Sequence, residues 1–279
     1  MRIVRRTAEL RRAVRRARRA GKKIGFIPTM GALHEGHLSL IRRARKETGL
    51  VVVSIFVNPI QFNNRSDLRS YPRTLAKDAR LAASAGADLL FVPDTRSIYP
   101  PGFQTFVEVT GLTRRWEGHS RPGHFRGVTT VVAKLFNLVQ PDTAYFGQKD
   151  AQQARVIGQM IRDLGLNLRL KVVPTVREPD GIAMSSRNSR LSPSERKAAS
   201  VLFQSLQEGK RLIECGLRRE TEILRRMRAV IRKARGTRIE YAAAVDPETL
   251  EPARRVKRPV LLLLAVRIGK TRLIDCWEV

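Results

Sequence analysis

From Ile24 onward the sequence alternates short apolar, β-rich runs with longer runs of helical periodicity. Nothing else in the chain limits its fold as strongly. Residues 24–27, 51–57, 89–92, 144–146 and 168–173 have the character of buried strands. Residues 38–47, 75–85, 128–139 and 151–164 lie between them with apolar side chains at helical spacing. Strands separated by helices predict an α/β fold, a Rossmann-like doubly wound parallel sheet with helices on both faces. In such a sheet the binding crevice lies outside the carboxyl ends of the strands.

After Val176 the texture changes. Residues 177–190 are polar and carry a Pro179-Asp180-Gly181 turn. Helical patterns follow over 193–214 and 219–235, the first with Ser192 and Pro193 placed to start it. Residues 239–245, 260–267 and 272–277 then read as strands. The expected organisation is a Rossmann-like domain over 1–175 and a smaller C-terminal α+β lid domain over 176–279.

Composition narrows the class. With 42% hydrophobic and 28% charged residues in 279, the chain can bury a core and is not a disordered sequence. Arginine supplies 42 of the 54 basic residues, and the formal net charge is +29. That excess raises nucleic acid as a partner. The arginines are spread over several elements, however, and aromatic residues make up only 6% of the chain. A base-stacking platform needs aromatics interleaved with the cations, so a solvated arginine face is the better reading and nucleic acid is not expected. In the first helix-like stretch Leu10, Ala13, Val14 and Ala17 form an apolar stripe that leaves the arginines outward. Cys215 and Cys276 stand alone, which excludes a disulfide scaffold and a cysteine-built zinc site. The N-terminus lacks a secretory pattern, and the longest apolar run, 260–266, is far below the ~20 residues of a spanning helix. A soluble, cytoplasmic protein with no membrane partner is expected.

The chemistry concentrates in Pro28-Thr29-Met30-Gly31-Ala32-Leu33-His34-Glu35-Gly36-His37, between the first of these strands and the helix that follows. A helix N-terminus offers free amides and a positive dipole end to phosphate. Gly36 allows close backbone approach. His34 and His37 can donate to phosphate oxygens as charge builds in an in-line transition state. Far downstream, Met184-Ser185-Ser186-Arg187-Asn188 places hydroxyls and a cation on a polar loop, a pattern that taken alone reads as a polar surface loop.

The His34-x-Gly36-His37 arrangement resembles the first signature of the nucleotidyltransferase superfamily, and the Ser185-Ser186-Arg187 loop a variant of its second. Further motifs run in the order seen in the pantothenate synthetase (pantoate–β-alanine ligase) family. They are Phe56-Val57-Asn58-Pro59-Ile60-Gln61-Phe62, Tyr71-Pro72-Arg73, Arg121-Pro122-Gly123-His124-Phe125, Phe146-Gly147-Gln148-Lys149-Asp150, Val176-Arg177-Glu178 and Val245-Asp246-Pro247-Glu248-Thr249-Leu250. The resemblance implies ATP-dependent condensation of (R)-pantoate with β-alanine through a pantoyl adenylate, with release of pyrophosphate and AMP. It implies a homodimer, ATP as substrate, and Mg2+ with the ATP, its protein ligands unknown.

The resemblance also implies residue roles. Catalysis would fall to His37, as general acid, with His34, Lys149 and Arg187. ATP would be held by Met30, Gly31, Ala32, Leu33, His34, Glu35, Gly36 and His37, by Gly147, Gln148, Lys149 and Asp150, by Val176, and by Met184, Ser185, Ser186 and Arg187. Gln61 and Gln153 would hydrogen-bond pantoate, with Gln61 also at the β-alanine position, and Asn58, near it on the strand end, would join them in binding substrate. The sequence departs from the family pattern at Gln148, where Glu is usual, at Ala151, where Tyr is usual, and at Ser66, which replaces one of an acidic pair before Asp67. Two other readings compete: transfer of a nucleotide onto a phosphorylated acceptor, and salt-sensitive nucleic-acid binding.

Overall fold

The computed structural model describes residues 1–279, all with their side chains except Arg65. The chain forms two compact units, residues 1–147 with 152–174, and residues 148–151 with 175–279.

The first unit begins with β1 (Arg2–Val4), α1 (Thr7–Arg19), β2 (Ile24–Thr29), α2 (Glu35–Glu47) and β3 (Leu50–Ile55). It continues through α3 (Arg65–Arg69), α4 (Leu75–Ser84), β4 (Leu89–Phe91), α5 (Thr95–Ile98) and α6 (Glu117–Ser120). α7 (His124–Val139), β5 (Thr143–Gly147), α8 (Ala151–Asp163) and β6 (Arg169–Val173) complete it. The strands pair in parallel in the order β1-β4-β3-β2-β5-β6. This is the expected doubly wound sheet, with one strand more, since β1 adds an edge. Strand order reverses beside β2, which pairs with β3 on one side and β5 on the other. Such a switch point opens a crevice at the carboxyl ends, where the loop after β2 begins.

Alternation along the strands builds two layers. Phe26, Val52, Phe56 and Phe91 join a cluster that holds Leu10 and Val14 of α1, Val128 and Val132 of α7, and Ile157 of α8. Ile27, Val51, Val53 and Leu90 point the other way, onto Leu38 and Ile41 of α2 and Ala82 of α4. The arginines of α1 are exposed while Leu10, Val14 and Ala17 are buried, as the stripe requires.

The second unit holds α9 (Pro193–Ala199), α10 (Val201–Glu214), α11 (Glu220–Arg232), β7 (Thr237–Val245), β8 (Leu261–Ile268) and β9 (Thr271–Glu278). Its strands form an antiparallel sheet in the order β7-β8-β9. Leu262, Leu264 and Val266 of β8 pack with Leu206 of α10 and Met227 of α11. Ser192 caps α9: its hydroxyl accepts the Glu195 N–H while the Glu195 carboxylate accepts the Ser192 N–H at 2.8 Å. The single helix expected over 193–214 is two, separated at Ser200. There the Ser200 hydroxyl donates to the Lys197 carbonyl at 3.0 Å, a local bond that competes with helix continuation.

Residues 148–151 group with the second unit, whereas the sequence reading puts them in the first domain. A contact with β9 accounts for this: the Cys276 thiol donates to the Gln148 carbonyl at 3.1 Å. Among the described residues no helix is long and apolar enough to cross a membrane.

Candidate functional site

In the first unit the loop after β2 reverses through two left-handed residues, Gly31 at φ +84° and Ala32 at φ +51°. Gly31 has little room for a side chain, because a Cβ would lie 3.0 Å from Ile55 Cγ2 and 3.1 Å from Asp78 Oδ2. The buried Asp78 carboxylate straps the turn. It accepts the Ala32 N–H at 3.0 Å, the Leu33 N–H at 2.8 Å and the Thr74 hydroxyl at 3.1 Å. These ionic hydrogen bonds offset the left-handed backbone at Ala32, which costs a non-glycine residue about 1–2 kcal/mol.

The strapped turn delivers His34 to the N-cap of α2 and His37 to its first turn, with ring centroids 4.1 Å apart. The His34 N–H donates to His37 Nδ1 at 3.3 Å. A neutral imidazole that accepts at Nδ1 carries its proton on Nε2, so Nε2 is the donor of this ring. An N–H donor and the positive end of a helix dipole therefore lie together beside Glu35 and the half-buried Gly36.

A second cluster surrounds Gln61, in the 3-10 turn Pro59–Gln61. Asn58 Nδ2 donates to Gln61 Oε1 and to the Gly127 carbonyl, both at 3.0 Å. The Tyr99 hydroxyl donates to Asn58 Oδ1 at 2.9 Å, and Gln61 Nε2 lies 3.1 Å from Met30 Sδ. His124 Nδ1 sits 2.9 Å from the Gln61 carbonyl, and Arg121 reaches His124 Nε2 at 3.2 Å. α7 meets this turn backbone to backbone at Gly127, where a Cβ would fall 2.7 Å from Gln61 Cα. Asn58, expected to touch substrate, is buried, with its amide nitrogen and oxygen both engaged in these bonds. Gln153 is half-buried in the first turn of α8, and Gly147 closes β5.

The second unit brings together Lys149, Ser185 and Asn188 along one small cavity with Asp275. The Met184 N–H donates to the Val176 carbonyl at 3.0 Å. Ser185 folds the next residues locally, its hydroxyl accepting the Arg187 N–H at 3.2 Å. Asn188 anchors the far side of this loop, donating to Glu178 at 2.7 Å and to the Ala183 carbonyl at 3.2 Å. Below it, Arg177 forks onto Asp275 at 2.7 and 3.0 Å and lies 4.5 Å over the Phe203 ring. Burial pushes the Asp275 carboxyl up, against the pull of Arg177. Gln148, Asp150 and Ser186 are half-buried or exposed in the same unit.

Sequence reasoning missed Asp78, Tyr99 and the Arg177–Asp275 pair. Asp78 had a signal: it falls on the stripe Leu75, Asp78, Ala82 and Ala85, where a core-facing helix should carry apolar residues. Tyr99 and Asp275 had none, because their partners are distant in sequence.

A six-stranded parallel sheet with a histidine-bearing helix start at its switch point places the chain among doubly wound α/β proteins, whose crevice lies at the carboxyl edge of the sheet. A family model described as pantoate-beta-alanine ligase matches residues 2–278. The pantothenate synthetase of Moorella thermoacetica is 51% identical over 275 residues, 99% of this chain and 97% of that protein. That of Heliobacterium modesticaldum is 52% identical over 275 residues, 99% of this chain and 98% of its own. The crystal structure of pantothenate synthetase from Thermus thermophilus matches with a TM-score of 0.95 and 48% identity, covering 100% of this chain and 99% of that one. A pantoate-beta-alanine ligase from Francisella tularensis, complexed with beta-gamma ATP and beta-alanine, matches at a TM-score of 0.82 and 36% identity, over 100% of this chain and 97% of that one. The chain belongs to the pantoate–β-alanine ligase family, and it is an enzyme of that ligase class.

Proposed function

We propose that this chain condenses (R)-pantoate with β-alanine at the expense of ATP, in two steps. In the first, a pantoate carboxylate oxygen attacks the α-phosphorus of ATP. An O–P bond forms, the bond between the α- and β-phosphates breaks, and pyrophosphate leaves with the electron pair. In the second, the β-alanine nitrogen attacks the carbonyl carbon of the pantoyl adenylate. A C–N bond forms, the C–O bond to AMP breaks, and the amine loses its proton. A carboxylate is a poor electrophile, and adenylation supplies the leaving group, so no nucleophilic side chain is needed. The protein contributes positioning and charge stabilisation.

The observation that carries this reading is the donor geometry of the strapped loop. His37 accepts at Nδ1 from its own helix cap and so presents Nε2–H as the donor to a phosphate oxygen at the N-terminus of α2. Met30 to His37 then bind ATP, with His34 and His37 stabilising charge at the α-phosphate. Gln61 and Gln153 bind pantoate. Lys149 and Arg187 act on the outer phosphates, Ser185 and Ser186 donate to them, Gln148 and Asp150 meet the nucleoside, and Val176 and Met184 flank it. The ligands of the Francisella tularensis complex, beta-gamma ATP and beta-alanine, support the substrate assignment. Among the described residues no group of three His, Cys, Asp or Glu side chains converges as a metal cage. A magnesium ion would therefore be held mainly by substrate phosphates and water, as is usual for that ion.

The test is exchange of labelled pyrophosphate into ATP. Exchange that requires pantoate and proceeds without β-alanine is expected. Folded enzyme that forms the amide with no such exchange would overturn the adenylate. His37→Ala should lose about 10²- to 10³-fold in the exchange rate with the fold intact, the usual effect of losing one transition-state donor.

A further inference from the structure

We propose that Tyr99 is a positioning residue that, through Asn58, holds in place the face of the Gln61 amide that is presented to substrate. The inference rests on the reading of Gln61 as a pantoate contact. Amide oxygen and nitrogen are hard to tell apart by shape, and their assignment follows from partners of known polarity. Here one such partner anchors a chain of three. The Gly127 carbonyl can only accept, so the Asn58 atom 3.0 Å from it is nitrogen. The second N–H of that nitrogen points at Gln61, so the Gln61 atom 3.0 Å away is its oxygen. Gln61 Nε2 is thereby turned the other way, toward Met30 of the strapped loop.

Asn58 Oδ1 then needs a donor, because Asn58 is buried with only 1% of its surface exposed. Tyr99 supplies it at 2.9 Å. Burial raises the Tyr99 phenol above its ordinary range, so the hydroxyl remains protonated and can donate. With one oxygen lone pair of Gln61 occupied by Asn58, the amide recognises its ligand chiefly as a donor. The ligand atom it selects is an acceptor, a carboxylate or hydroxyl oxygen.

The Tyr99 ring packs edge-on against Phe103 at 5.0 Å and lies 6.1 Å from Phe56. Tyr99→Phe keeps those contacts and removes only the hydroxyl. Asn58 Oδ1 is then a buried acceptor without its donor, and rotating the amide cannot relieve it, because the oxygen would meet the Gly127 carbonyl and Gln61 Oε1; the Asn58 side chain therefore loses its fixed position, and the Gln61 amide loses its with it.

The experiment measures KM for pantoate and for ATP, together with thermal unfolding, in the wild type, Tyr99→Phe, Asn58→Asp and Gln61→Ala. Tyr99→Phe should raise the pantoate KM about tenfold and leave the ATP KM within about twofold, on the scale of one lost hydrogen bond. Asn58→Asp replaces the donor to Gln61 with an acceptor and should raise the pantoate KM in the same way, which keeps the test decisive should Tyr99→Phe fold poorly. A merely structural Tyr99 would lower the unfolding temperature and the active fraction without moving either KM. If Gln61→Ala raises the pantoate KM while Tyr99→Phe and Asn58→Asp do not, the positioning role is wrong and the substrate assignment stands. If Gln61→Ala leaves the pantoate KM unchanged, the substrate assignment itself fails and the positioning role falls with it.

Discussion

Asp78 holds Leu33 by its backbone: one carboxylate oxygen accepts the Leu33 N–H at 2.8 Å, and the other accepts the neighbouring Ala32 N–H at 3.0 Å. The residues lie 45 apart in sequence, on α4 and on the loop that opens α2. Asp78→Ala should leave those amides unpaired inside the protein and lower stability by about 2–4 kcal/mol. Asp78→Asn retains one acceptor and should fall between. Both should lose pyrophosphate exchange out of proportion to their loss of stability, because the histidine pair is delivered by this turn. Chemical denaturation and exchange rates on the same preparations check the ordering.

Gly127→Ala probes the contact of α7 with the Gln61 turn. The added methyl would meet Gln61 N and Ile60 O at 2.8 Å, and these are backbone atoms that cannot step aside by rotating. Overpacking of this kind costs about 1–3 kcal/mol. The variant should remain folded with a raised pantoate KM, read from initial rates at saturating ATP. An unchanged KM would show that the turn relaxes without displacing the amide.

The Arg177–Asp275 pair predicts an asymmetry between single and double substitutions. Arg177→Ala strands a buried carboxylate and should destabilise the second unit by about 3–5 kcal/mol. Replacing both partners, Arg177→Met with Asp275→Leu, removes the stranded charge and should recover much of that loss. Urea unfolding of the three proteins measures the difference.

Glu47 gives a pH dependence. Its carboxyl is pulled down to about 2, first by the Lys171 ammonium and then by the Tyr145 hydroxyl, which donates at 2.9 Å, and by Arg43. A free glutamate titrates near about 4.3. Stability from this network is therefore complete above roughly pH 4.3 and is lost as pH falls toward about 2. Water reaches the pair, so Glu47→Gln should cost about 1 kcal/mol at neutral pH. The gap in unfolding temperature between variant and wild type should close as pH approaches about 2.

Periodicity made the parallel sheet and most helices legible, because the apolar stripes of α1 and α7 face one layer of the core and that of α2 faces the other. Glycine and histidine spacing marked the loop after β2, where helix-start physics restricts the residue types. The remainder depended on partners far apart in the chain. β1 is a three-residue edge strand that pairs with β4, residues 2–4 against 89–91, and so short a run has no visible period. Asp78 reads locally as an acidic residue in a first helical turn, and only the fold reveals its amide partners. The polarity of Gln61 depends on Gly127, which no local pattern connects to it. The grouping of residues 148–151 with the second unit depends on Cys276, over a hundred positions later.

The place of β2 at the middle of the sheet has a consequence for how the enzyme is made. One side of β2 is satisfied early, by β3, which follows within a few dozen residues. Its other side waits for β5, and the Ile24 N–H finds the Asp142 carboxylate only across 118 positions. Until the ribosome has released that later stretch, the central strand has an open edge at Gly25 and Phe26, on the strand from which the histidine loop departs. Long-range pairing of this kind slows folding and leaves a nascent sheet open to wrong partners. The β5-facing amides of β2 should therefore be among the last in the first unit to acquire protection in pulse-labelled refolding.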